Sequence, residues 1–89
     1  MDNAQRVIRI KELLTSELDA SSVDVIDESH KHAGHAGAKT GMGHFEVHIT
    51  AAAFAGKSML QTHRMVYEAL GDMMQTDIHA LSIKARTPE

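Results

Sequence analysis

The chain of 89 residues has no cysteine, no tryptophan, a single proline and three aromatic residues, Phe45, Phe54 and Tyr67. Without thiols it forms no disulfide, offers no thiolate nucleophile and builds no iron–sulfur or zinc site from its own sulfur. With so few rings, the core has to come from Leu, Ile, Val, Met and Ala, and no platform is available on which bases of a single strand would stack. No apolar run approaches the roughly 18 residues that a membrane span needs. The start, Met1-Asp2-Asn3-Ala4-Gln5, lacks a basic segment followed by an apolar one, so no signal peptide is expected and a cytoplasmic location is. No block is basic enough to announce nucleic acid by itself, and the formal charge is −3. What is abundant is histidine: seven residues, which make the charge strongly dependent on pH near neutrality.

The 43% apolar and 24% charged content is that of an ordinary folded protein, and the length fits one domain spanning residues 1–89. Residues 3 to about 19 read as an amphipathic helix, capped by Asp2 or Asn3, with Val7, Ile10, Leu14 and Leu18 at helical spacing. Val23–Asp27 alternates briefly, and Phe45–Thr50 alternates cleanly, with Phe45, Val47 and Ile49 on one face and His44, Glu46 and His48 on the other. Ala51 to Gly56 is a tight connection of small residues. Ser58 then caps a helix predicted from Met59 to about Met74, with Met59, Val66, Leu70 and Met73 on its apolar stripe. Ile78–Ala85 is the last strand, with His79, Leu81, Ile83 and Ala85 on one face, and 86–89 is a tail. Helix, strand, strand, helix, strand implies an α+β two-layer sandwich: an antiparallel first pair, and a third strand returning across a helix to lie parallel to a neighbour.

Between the first two strands, residues 29–44 hold four of the seven histidines and four of the six glycines. A connection of that length without its own secondary structure is usually functional or disordered, and this one is expected to be flexible. His30, His32 and His35 form an H-x-H-x2-H cluster, and neutral imidazole is the commonest metal ligand. His63 is the one polar residue on the stripe of the long helix. It is either a core histidine with a hydrogen-bond partner or a ligand aimed at a site shared with the loop. Left alone, the loop is a polar connection with a casual affinity for zinc or copper. Lys57 and Arg64 near the helix start, with Lys84 and Arg86 on the last strand, make a small basic patch for phosphates or simply scattered solvated charges. No serine–histidine–acid arrangement and no phosphate-cradling glycine motif is present, and His63 has no visible orienting partner, so the sequence argues against an enzyme.

Asp27-Glu-Ser-His-Lys-His32, Gly43-His-Phe-Glu-Val47, Phe54-x-Gly-Lys-Ser-x-x-Gln-x-His-Arg-Met-Val-Tyr67, Ile78-His-Ala-Leu-Ser-Ile83 and Thr87-Pro88 together resemble the BolA family, in the right order over nearly the whole chain. The resemblance implies an αββααβ core related to the class II KH fold, with a three-stranded mixed sheet and helices on one face, but without the G-x-x-G loop that clamps RNA. It implies a non-enzymatic adaptor, a monomer alone or a heterodimer with a monothiol glutaredoxin. In that pair a 2Fe–2S cluster is shared with glutathione and the BolA side contributes histidine, so the isolated chain is expected to bind none. The family's helix histidine falls on His63 and its loop histidine aligns best with His32, while His30 and His35 are additions that leave the loop ligand open. Some bacterial members are described as DNA-binding transcriptional regulators linked to stress and cell shape. In that alternative Lys57, Arg64, Lys84 and Arg86 meet the DNA.

Overall fold

A computed structural model describes residues 2–29 and 42–88. The first helix, α1 (Asn3–Leu18), starts where the capping chemistry puts it. The Asp2 carboxylate accepts the Gln5 N–H at 2.8 Å, and the Gln5 side chain accepts the Asp2 N–H at 3.0 Å. Ile10 and Leu14 are fully buried and Val7, Leu13 and Leu18 pack beside them, as the spacing predicts. Each fully buried side chain of that size contributes roughly 1.5–3 kcal/mol relative to exposure.

The strands β1 (Ser22–Asp27), β2 (Gly43–Thr50) and β3 (Ile78–Arg86) form one sheet with β2 in the centre. β1 runs antiparallel to β2 and β3 runs parallel to it, as the connection lengths require. One face, carrying Val23, Phe45, Val47, Ile49 and Ile83, is buried against the helices. The other carries Asp24, Ile26, Glu46, His48, Ser82 and Lys84 and is only partly covered or open. This is the expected αββααβ arrangement.

Four particulars differ from the sequence reading. The long helix is two: α2 (Met59–Leu70), capped by Ser58, and a single turn, α3 (Met73–Thr76). Gly71 between them has φ +54°, a conformation that ends a helix and that other residues rarely adopt. Met59, expected on the apolar stripe, is 75% exposed, and Thr62 is buried in its place, its hydroxyl donating to the Met59 carbonyl at 2.8 Å. The face of β3 changes phase at its start. A register shift between Gly43 and His44 lets Ile78 bury itself and leaves His79 exposed, before Leu81, Ile83 and Ala85 resume the core face. Finally, β2 begins at Gly43, so His44 belongs to the strand rather than to the connection, and it is 5% exposed rather than on the wet face. The connection after Thr50 contains a 3-10 turn, Ala52–Phe54, which buries Phe54.

Candidate functional site

The two ends of the sheet carry different chemistry. One end is where β1 stops and β2 and β3 start. There the backbone is tied down from several directions. The Ser29 hydroxyl oxygen accepts the His44 N–H at 3.0 Å and the Asn3 side-chain amide at 3.2 Å, and the Ser29 N–H donates to Asp27 at 2.9 Å. The Glu28 N–H donates to the His44 carbonyl at 2.8 Å, and the Gly43 N–H to the Asp77 carbonyl at 2.9 Å. Arg6 Nε lies 3.0 Å from the Asp77 carboxylate. Hydrogen bonds from the Thr76 hydroxyl and then Arg6 hold the Asp77 carboxyl below its usual range, against partial desolvation. Glycine at position 43 is a spatial requirement, because a Cβ there would stand 2.5 Å from the buried Phe45 ring.

On this frame stand two imidazoles that the sequence did not bring together. The ring centroids of His44 and His79 are 5.0 Å apart, tilted by 53°. Both ring nitrogens of His44 are enclosed, whereas His79 is exposed. His44 borders a pocket of about 220 Å³ with Glu28 and Ser82. His44 therefore supports and His79 presents. The His44 N–H donates to Ser29, and Ser29 and Met42 flank in sequence the segment that carries His30, His32 and His35. Those three histidines lie outside the described residues.

His63 is at the other end. It is half-buried on α2 and borders a cleft of about 510 Å³ with Ile83, Lys84 and Arg86 of β3. β2 is eight residues long, so at about 3.3 Å per residue the two ends are roughly 25 Å apart. Of the four cations singled out from the sequence, Lys57, Lys84 and Arg86 border that cleft, while Arg64 lies outside its lining, exposed on α2. Lys84 also reaches across the open sheet face to within 3.7 Å of Glu46, which receives a hydrogen bond from His48 at 3.1 Å. That bond first, and the Lys84 charge after it, hold the Glu46 carboxyl below its usual range. Among the described residues no three of His, Asp or Glu converge as a metal site, and no helix is long and apolar enough to cross a membrane.

A family model described as "BolA-like protein" matches residues 14–89. The chain belongs to the BolA-like family. The BolA-like fold is matched directly by the solved BolA domain of SufE1 from Arabidopsis thaliana, with a TM-score of 0.83 and 44% identity, covering 93% of this chain and 92% of that one. The curated SufE-like protein 1, chloroplastic/mitochondrial, of the same plant is 43% identical over 93% of this chain, which spans only 24% of that protein's length. The DNA-binding transcriptional regulator BolA of Escherichia coli is 34% identical over 89% of this chain, which spans 72% of it. The plant relative's name places it in organelles, so family membership does not by itself assign this BolA-like chain to the cytoplasm.

His79 and His44 are what sequence reasoning missed. The signal was present, since His79 is the second residue of the last strand and His44 the second of the middle one, and a parallel pairing of those strands brings their starts together. Reading His44 as a loop residue concealed it.

Proposed function

We propose that this BolA-like chain is a non-enzymatic adaptor that binds a monothiol glutaredoxin and shares a 2Fe–2S cluster with it through histidine. The supporting observation is the exposed imidazole of His79, backed by buried His44 at 5.0 Å, at the departure point of a segment that carries three more histidines. A chain without cysteine has no thiolate to offer, so a partner has to bring the sulfur ligands while this chain brings histidine. The residues present fit that division: His79 is accessible, and one of His30, His32 and His35, with His32 the best aligned, completes the pair. His44 has both nitrogens enclosed and serves to hold the His79 ring in place. His63, at the other end of the sheet, is replaced by His79 in this reading.

When bound, such a cluster stores and passes single electrons, and two imidazoles in place of thiolates raise its potential. The work of the chain itself is positional. Ser29, Asn3 and Asp77 fix the strand ends, Gly43 lets Phe45 close beneath them, and His79 offers a ring nitrogen to the partner's side. A ligating imidazole has to be free of its proton, so assembly weakens as the medium becomes acidic.

The test is the visible and circular dichroism spectrum of this chain co-expressed with a monothiol glutaredoxin and purified without oxygen. A coloured pair that loses its distinctive spectrum in His79→Ala and keeps it in His63→Ala supports the reading. Loss in His63→Ala alone returns the ligand to α2, and a colourless pair that does not co-purify removes the adaptor reading.

A second reading, DNA binding, rests on the gathering of Lys57, Lys84 and Arg86 round one cleft and on the activity named for the Escherichia coli relative. Duplex binding that falls steeply with salt and is lost on reversing those charges would favour it.

A further inference from the structure

The cleft at the cationic end lies along the edge of a strand. Residues of both parities of β3 border it: Ile83 and Ala85, whose side chains face the core, and Lys84 and Arg86, whose side chains face the open side. Only the edge of a strand is reached from both of its faces. β3 pairs with β2 alone, and among the described residues no strand lies on its other side. The outward backbone groups can be assigned. The Arg86 carbonyl accepts the Ala51 N–H at 3.0 Å on the β2 side. In a parallel pair each residue directs its N–H and C=O to the same side, alternately along the strand, so those of Ile83 and Ala85 point away from the sheet. Opposite them stands the wall made by Phe54 and the start of α2, with Met59 exposed.

We propose that this groove binds an extended, acidic segment of a partner protein, added as a fourth strand against β3. Three observations select the occupant. The open edge offers a row of hydrogen-bonding groups that a peptide backbone satisfies and a phosphate chain does not. The lining is cationic, with Lys57, Lys84 and Arg86 and no acidic side chain, so a negative segment is attracted and a basic one repelled. The groove also has an apolar wall, which takes alternate side chains of a strand, whereas a single-stranded nucleic acid would want exposed stacking rings, and Phe54, the ring on this wall, is buried. Exposed edges without a charge or a cover are avoided in native sheets, and here the cations guard the edge while admitting one class of strand. This inference is independent of the histidine end.

The test uses the full chain, isotopically labelled, and an acetylated peptide of alternating glutamate and valine long enough to cover the strand. Expected are saturable binding, shifts of the amides from Ile83 to Thr87, and new protection from hydrogen exchange at Ile83 and Ala85. A Lys57→Glu, Arg86→Glu double variant weakens binding by about tenfold or more, the scale on which opposed charges act at an interface. Lys57→Glu alone, which lies outside the sheet, weakens it in the same direction. The same peptide methylated on its backbone nitrogens keeps its charge and loses its binding. Equal binding of the methylated peptide, shifts that bypass β3, or a duplex DNA that displaces the peptide from these amides and binds more tightly would each overturn the proposal.

Discussion

The histidine end and the cationic end of the same sheet are built on opposite terms. At the histidine end, backbone bonds from Ser29, Glu28 and Gly43, the Arg6–Asp77 pair and the Phe45 ring under Gly43 restrain every element that meets there. At the cationic end, Lys57 and Arg86 reach into solvent, Met59 is uncovered, and among the described residues no strand pairs with the outer edge of β3. A ligand position has to be held to a fraction of an ångström before its partner arrives, so rigidity belongs where an imidazole is presented. A surface that recognises a segment of chain gains from spare hydrogen-bonding groups and loose charges. One small sheet accommodates both because β2 keeps them a strand's length apart.

The comparison is broken most directly at His79. His79→Ala is expected to abolish the colour of a glutaredoxin complex while leaving the melting temperature of the free chain almost unchanged, since the ring is exposed. Next in size is Gly43→Ala. The added carbon has to displace the Phe45 ring, and overpacking of this kind costs about 1–3 kcal/mol, to be read from urea unfolding. A substitution of similar chemistry at exposed Gly56, where no atom stands within 4 Å of a Cβ, meets no neighbour and bears only its backbone cost.

A third variant, Asp77→Asn, sharpens the contrast by pH. The Asp77 carboxyl is held below its usual range in the folded chain, by Thr76 first and Arg6 second. Its contribution is therefore complete above the unfolded value, about 3.9, and disappears as pH falls through the lower folded value. Unfolding free energy measured from pH 6 downward should fall less steeply in Asp77→Asn than in the parent, and a parallel pair of curves would show that the contact carries no linkage. At neutral pH the loss of this partly buried charge-assisted bond should be about 1.5–3 kcal/mol.

Much of this architecture is legible in the sequence. Asp2 and Gln5, and Ser58 and Gln61, are capping boxes with helical spacing behind them, and Phe45, Val47 and Ile49 alternate against polar neighbours, so α1, α2 and β2 are encoded locally. What escaped was whatever depends on elements meeting. Met59 is apolar at the correct spacing, yet Thr62 takes the buried position in the first turn of α2 and leaves Met59 75% exposed. Gly71 inside an apolar pattern was tolerable for a helix until its φ of +54° decided otherwise. His44 is polar and on the face opposite the core, yet it is 5% exposed, with the His79 ring 5.0 Å away. The pairing of His44 with His79 follows from the parallel register and its shift at Gly43, which no local pattern records. Three of the four cations do share a site: Lys84 and Arg86 lie along the β3 edge, and Lys57, just before α2, borders the same groove.

The smallest expected effect is at the cationic end. Lys57→Ala, Arg64→Ala and Arg86→Ala should each leave stability within about 0.5 kcal/mol of the parent, because solvated surface charges contribute little to folding. Lys84→Ala is the sharper case. Its ammonium lies 3.7 Å from Glu46, whose carboxyl takes its main hydrogen bond from His48 and only secondarily feels Lys84. Removing Lys84 should therefore move the Glu46 titration upward by less than removing His48 does, as carbon-detected spectra of the carboxyl would report. If the order were reversed, Lys84 would be committed to Glu46 rather than available at the β3 edge. The division between a fixed end and an available one would then have to be redrawn with Lys84 on the fixed side.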